Sequence, residues 1–223
     1  MTANAPPPTT AADAAASDAA RLPALRAEAL ARARAIRLVA FDVDGTMTDG
    51  AIHIGPDGEA FKRFSVRDGL GIVLLHRAGL RTAIVTGRES AIVAQRAREL
   101  SIPHVIQGVK DKHAALRQLC RDTGLETTQI AFVGDDWPDL PAMVHAGLAA
   151  AVVNAAPEVR RIAHYVGTAA PGDGAVREFC EWLLDAQQRR EALLARFHEQ
   201  GERPDDAPPP DDPHPTVGGT PIR

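Results

Sequence analysis

Asp42 and Asp44 stand two apart at the end of an apolar run, in Leu38-Val39-Ala40-Phe41-Asp42-Val43-Asp44-Gly45-Thr46. The run suggests a buried strand that delivers two carboxylates to a glycine-loosened turn. Open parallel α/β sheets bind their ligands at that carboxyl edge. If the strand continues, both side chains aim at one face. Two unpaired carboxylates side by side repel, and one pKa rises. A divalent cation, or a division of acid and base roles, relieves the conflict. Asp and Gly are also ordinary turn residues, so this pair alone leaves a simple turn open.

Three further groups share the same context, the end of an apolar strand-like run. Thr86-Gly87-Arg88 follows Ala83-Ile84-Val85; a hydroxyl, a flexible glycine and a following helix start make a modest anion site. Lys112 stands just before a helical stretch, where its compact ammonium suits a phosphoryl oxygen or simply faces solvent. Gly134-Asp135-Asp136 closes the run Ile130–Val133, with Asp139 one turn later. Clustered carboxylates suit a hard cation such as Mg²⁺, which retains waters and takes few protein ligands. Asp136, ahead of Trp137-Pro138, is equally placed to cap a helix. Asp135 is left without a structural purpose.

The elements that must position these groups alternate. Ala51–Ile54 and Ala60–Val66 flank Gly55-Pro56-Asp57-Gly58 and read as a hairpin. Helices are expected over Leu70–Ala78, Ser90–Leu100, Lys112–Cys120 and Leu140–His145, and one long amphipathic helix over Ala175–Phe197. Strands are expected over Thr82–Val85, His104–Ile106, Ile130–Val133 and Ala149–Val153, with Tyr165-Val166 as an edge. Such alternation implies parallel crossovers. The fold class is therefore α/β, a Rossmann-like doubly wound parallel sheet with a small β-hairpin insertion and no cap domain. A surface helix, with apolar Leu22, Leu25, Leu30 and Ile36, leads into it over 21–35. The main domain spans 36–200. Residues 1–20 and the Pro- and Asp-rich 201–223 have little to bury and read as disordered tails.

The 223 residues, 45% of them hydrophobic, suffice for one core plus tails. A net charge of −4 and a pI near 6.1 offer no basic field for nucleic acid. Cys120 and Cys180 have no metal-ligand spacing and suggest reduced thiols. Apolar runs fall short of a membrane span, and the N-terminus lacks the pattern of a secretory signal. A soluble cytoplasmic protein is the expectation. His53, His76, His104, His113, His145 and His164 show no ligand spacing and read as structural or exposed.

The ordered set DxD, Thr, Lys and GDD resembles the haloacid dehalogenase superfamily. More narrowly, DVDGTMTDG, FKRFSVRDGLG, AIVTGRES, GVKDKHAAL, VGDDWPDLPAM and GAVREFCEWLL are similar to the 3-deoxy-D-manno-octulosonate 8-phosphate phosphatase family of lipopolysaccharide precursor synthesis, over roughly Ile36 to Leu184. One departure stands out. That family often carries a Gly-Gly-basic-Gly stretch before AVRE, and here Pro171-Gly172-Asp173-Gly174 puts an acid there.

The resemblance implies a Mg²⁺-dependent phosphatase with Asp42 as nucleophile and Asp44 as general acid–base. It implies metal ligation by Asp42, the backbone carbonyl of Asp44 and Asp135. Thr86, Gly87 and Lys112 would grip the phosphate, while Asp136 and Asp139 orient metal waters or Lys112. An arginine fork suits a sugar-acid carboxylate, so Arg67 and Arg88 are candidate substrate contacts, and Asp68 and Gly69 beside Arg67 are counted with them. Capless relatives form homotetramers, and Ile52, Ile54, Phe61 and Phe64 would supply the apolar contact. Rival readings are the same chemistry on a sialic or KDN 9-phosphate, a phosphomutase, and a non-catalytic binding protein of the same fold. Retention of Asp42, Asp44 and Lys112 speaks against the last.

Overall fold

Leu38–Phe41 (β1) is buried at every position, as expected of a strand covered on both faces. It pairs in parallel with β4 (Arg81–Val85) on one side and β6 (Ile130–Gly134) on the other. In the computed structural model, which describes residues 26–200, a six-stranded parallel sheet runs β5-β4-β1-β6-β7-β8. The remaining strands are β5 (His104–Ile106), β7 (Leu148–Ala151) and β8 (Tyr165–Val166), the last an edge strand as expected. The hairpin strands β2 (His53–Gly55) and β3 (Gly58–Phe61) pair antiparallel in a small sheet of their own.

Strand alternation sorts the core into two layers. Val39 and Phe41 join Ile72 and Leu75 of α2 (Val66–Arg77), Val93 of α3 (Ala91–Glu99) and Phe179 of α7 (Ala175–Ala186). Leu38 and Ala40 face the other way, onto Leu116 of α4 (Lys112–Thr123), Met143 of α5 (Leu140–Met143) and Val159 of α6 (Pro157–Ile162). By the same period of two, Asp42 continues the Leu38–Ala40 face. That is the side on which α4 begins with Lys112.

Three expectations need correction. In the leading helix (α1, residues 26–35) Ala29 and Ala33 are buried while Leu30 is exposed, and Ile36, just past the helix, is buried. Leu22 and Leu25, like the expected tails 1–20 and 201–223, lie outside the described residues. The long C-terminal helix is two, α7 and α8 (Arg190–Gln200). Gln188 takes φ 57°, and the Arg189 N–H donates to Leu184 O at 2.9 Å, closing a glycine-type helix end without a glycine. The neighbouring Gln187 Nε2 donates to Ala33 O and Ile36 O, which pins that break to the end of α1. Finally, β1 stops at Phe41. The N–H groups of Thr46, Met47 and Thr48 all donate to Val43 O, so Asp44 sits in a tight turn rather than on a continuing strand.

Candidate active site

The first residue beyond β1 is still tied to the sheet: the Asp42 N–H donates to Val133 O at 2.9 Å. Asp42 is buried, 6% exposed, and its carboxylate accepts from Lys112 Nζ at 2.6 Å. The same ammonium donates to Asp139 Oδ1 at 2.6 Å, and Lys112 and Asp139 are both buried. Asp111 caps α4 by accepting from His113 N and Ala114 N, and so fixes where Lys112 enters the site. Beyond β6, Asp139 Oδ2 accepts from the N–H groups of Asp135 and Asp136 at 2.9 and 3.2 Å. This loop wraps one carboxylate and leaves Asp135 to project. Gly134 permits it, since a Cβ there would lie 2.5 Å from the Asp139 carboxylate carbon.

Asp135 lies against the turn that carries Asp44. Its Oδ1 accepts from Thr46 Oγ1 at 3.2 Å, and a Cβ on Gly45 would fall 2.2 Å from its Oδ2. Gly45 also has φ +89°, so the position requires glycine on two counts. One oxygen each of Asp42, Asp135 and Asp139 lies within 4.8 Å of the other two. The crowding has its electrostatic signature. Burial, with the charge of Asp139, raises Asp42 to about 6 against the pull of Lys112. Burial and the charges of Asp42 and Asp139 raise Asp135 to about 7. Burial disfavours the Lys112 ammonium, but the paired carboxylates outweigh it and hold its pKa above the usual lysine value.

Carboxylates held against their own repulsion fit a small hard cation such as Mg²⁺. Asp42 and Asp135 are its apt ligands. Both oxygens of Asp139 are already engaged, one by Lys112 and one by two backbone N–H groups, so Asp139 orients its neighbours instead. Asp136 is exposed, and its Oδ1 accepts from Trp137 N at 2.8 Å as a helix cap.

Asp44 points elsewhere. Its Oδ1 lies 2.5 Å from Lys62 Nζ and its Oδ2 3.7 Å from Arg88 Nε. The two aspartates two apart therefore face different cations, contrary to the single face that a continuing strand would give. Arg88 reaches the site rim with its side chain 47% exposed, also 3.7 Å from Glu59 Oε1. Thr86 is buried at the end of β4, where its N–H donates to Ile106 O and its C=O accepts from Val109 N. Gly87 keeps the turn close to Val109 O, 3.4 Å from where a Cβ would stand.

The Arg67-Asp68-Gly69 stretch lies within α2 rather than in a loop. Arg67 is exposed and sits beside Gly174. Asp68 is turned inward, where its oxygens accept from the N–H groups of Gly174 and Arg177 at 3.3 and 2.9 Å. It is the cap of α7, and burial raises its pKa despite those bonds. A Cβ on Gly69 would meet Arg96 Nη2 at 2.5 Å, so this glycine serves helix packing. Neither Asp68 nor Gly69 presents a group to a substrate. Of the apolar hairpin residues, Ile52, Ile54 and Phe61 are exposed, whereas Phe64 packs on the chain's own core.

Sequence reasoning missed Lys62 and Glu59. The Lys62 side chain is 2% exposed and lies 2.8 Å from Glu59 Oε1 as well as against Asp44. Glu59 in turn accepts a short hydrogen bond from Ser90 Oγ. The available signal was two opposite charges three apart, set among the apolar residues of a hairpin.

A haloacid dehalogenase-like hydrolase model matches residues 104–179. The 3-deoxy-D-manno-octulosonate 8-phosphate phosphatase of Yersinia pestis is 43% identical over 164 residues, 74% of this chain and 88% of the relative. That of Escherichia coli K12 is 42% identical over 161 residues, 72% and 86% of the two chains. Among solved structures, the Moraxella catarrhalis phosphatase in complex with magnesium, phosphate and KDO is 44% identical with TM-score 0.74, covering 76% of this chain and 98% of that one. The cobalt-bound Haemophilus influenzae enzyme is 36% identical with TM-score 0.73, covering 75% and 99%. With these relatives spanned along most of their length, the chain belongs to the 3-deoxy-D-manno-octulosonate 8-phosphate phosphatase family of haloacid dehalogenase-like hydrolases.

Proposed function

We propose that this protein is a Mg²⁺-dependent phosphatase that hydrolyses 3-deoxy-D-manno-octulosonate 8-phosphate to the free sugar acid and phosphate, a step of lipopolysaccharide precursor synthesis. The observation that carries the reading is the convergence of Asp42, Asp135 and Asp139 on one point beside the Lys112 ammonium. Three separate strand ends, those of β1, β5 and β6, contribute to it.

Asp42, ionised near neutrality, attacks phosphorus and forms an aspartyl-phosphate as the bond to the sugar oxygen breaks. Asp44 gives its proton to the departing alkoxide. It then takes a proton from the water that attacks the intermediate, which releases phosphate, frees the Asp42 carboxylate and returns Asp44 to its protonated form. Lys112 holds the Asp42 carboxylate and, with Thr86 and the Gly87 turn, binds oxygens of the transferring group. Asp42 and Asp135, with the backbone carbonyl of Asp44, would hold Mg²⁺, which screens the repulsion between anionic nucleophile and anionic ester. Arg88, and Arg67 at the start of α2, are the side chains offered to the sugar-acid carboxylate.

The protein works in the cytoplasm, in keeping with two free thiols, and assembles as a homotetramer. Exposed Ile52, Ile54 and Phe61 on the hairpin support that contact.

Phosphate release measured with Mg²⁺ across a panel of sugar phosphates tests the substrate. Highest kcat/KM is expected for 3-deoxy-D-manno-octulosonate 8-phosphate. A preference for a sialic or KDN 9-phosphate would replace it, and inertness toward the whole panel would end the phosphatase reading.

A further inference from the structure

The hairpin does more than flank the site, because its charged residues reach the proton-transferring carboxylate. Asp44 lies in the turn beyond β1, where no strand pairing holds it. What fixes its side chain is Lys62, one residue past β3, at 2.5 Å from Oδ1. Lys62 has no freedom to leave. Its side chain is 2% exposed, and Glu59 Oε1 lies 2.8 Å away on its other side. Glu59 is anchored in turn by the hydroxyl of Ser90, whose Oγ also caps α3 by accepting from Val93 N. A buried ammonium without partners would be costly, and removing either carboxylate would strand it. The chain of contacts thus runs from α3 through Ser90, Glu59 and Lys62 to Asp44.

We infer that Lys62 is the positioning residue of Asp44: it engages Oδ1 and leaves Oδ2, which Arg88 Nε approaches only to 3.7 Å, as the oxygen that exchanges protons with the leaving group. This rests on the phosphatase reading above and adds to it a specific division of labour between the two carboxylate oxygens. A simple surface ion pair would be exposed and would gain little; this one is enclosed and meets the acid of the reaction directly.

The test compares leaving groups. A sugar alkoxide needs a proton to depart, whereas the phenolate of p-nitrophenyl phosphate does not. In Lys62→Met, kcat/KM on the sugar phosphate should fall about 10²-fold, the lower range for general acid help, while kcat/KM on the aryl ester changes little. Lys62→Arg, which keeps a cation, should recover part of the loss. Equal falls on both esters, or no fall on either, would overturn the inference. If Lys62→Met does not fold, judged by its thermal transition, Glu59→Gln must show the same selective loss in smaller measure, and its absence overturns the idea equally. Wild-type protein inert toward both esters would instead sink the phosphatase reading, so the two failures are distinguishable.

Discussion

Two carboxylates two residues apart do different work because the backbone turns between them. Asp42 stays in register with the sheet and meets Lys112; Asp44 enters the turn and meets Lys62 and Arg88. Replacing Asp42 by Asn removes the proposed nucleophile and should abolish phosphate release, while Asp44→Asn should lower kcat on a sugar ester by about 10²–10⁴-fold; steady-state phosphate release measures both. Protons and metal compete at the same oxygens. The folded-state pKa values of Asp42 and Asp135, about 6 and about 7, lie above their ordinary 3.8. The metal-free fold therefore binds protons more tightly than the unfolded chain does. Their contribution to stability is full below about pH 4 and is lost as pH rises through the folded values. Metal reverses the sign, since it needs the deprotonated oxygens. Mg²⁺ should thus raise Tm more at about pH 8 than at about pH 5, a difference that thermal melts in paired buffers will read. An increment equal at both pH values would contradict the site.

At the scale of elements, the candidate groups stand where strands end and helices begin, and partners from other elements hold them. The α2–α7 pair shows how this reaches beyond the site. Asp68 of α2 caps α7, whose own N-terminal residue, Gly174, has no side chain to do so. Asp68→Ala would leave two backbone donors unsatisfied and cost about 1–3 kcal/mol, to be measured by denaturant unfolding. The strands and their order of chemistry were legible in the sequence because apolar runs ending in Asp, Thr or Gly-Asp mark buried parallel strands by local pattern alone. The capping role of Asp68 was not legible because its partners, Gly174 and Arg177, lie more than a hundred residues away. Lys62 escaped notice for a different reason: its partner Asp44, 18 residues earlier, belongs to the turn beyond β1 and not to the hairpin that carries Lys62. The break at Gln188 had no glycine or proline to announce it, since its stabilisation comes from Gln187 bonding to α1.

At the scale of the whole molecule, a capless sheet leaves its carboxyl edge open, with a hairpin standing beside it. Ile54, in β2 of that hairpin, leaves its side chain open to solvent, being 79% exposed. If the hairpin joins subunits, Ile54→Glu should shift the light-scattering mass from tetramer toward monomer; an unchanged mass would exclude this surface from the contact. The account as a whole depends on one ion between β1 and β6. A crystal structure determined with Mn²⁺, which scatters anomalously, locates it directly. The expected result is a single peak about 2.0–2.2 Å from carboxylate oxygens of both Asp42 and Asp135, with the Lys112 ammonium still bridging Asp42 and Asp139. A peak bound by Asp139 in place of Asp135, or no peak between these carboxylates, would contradict it.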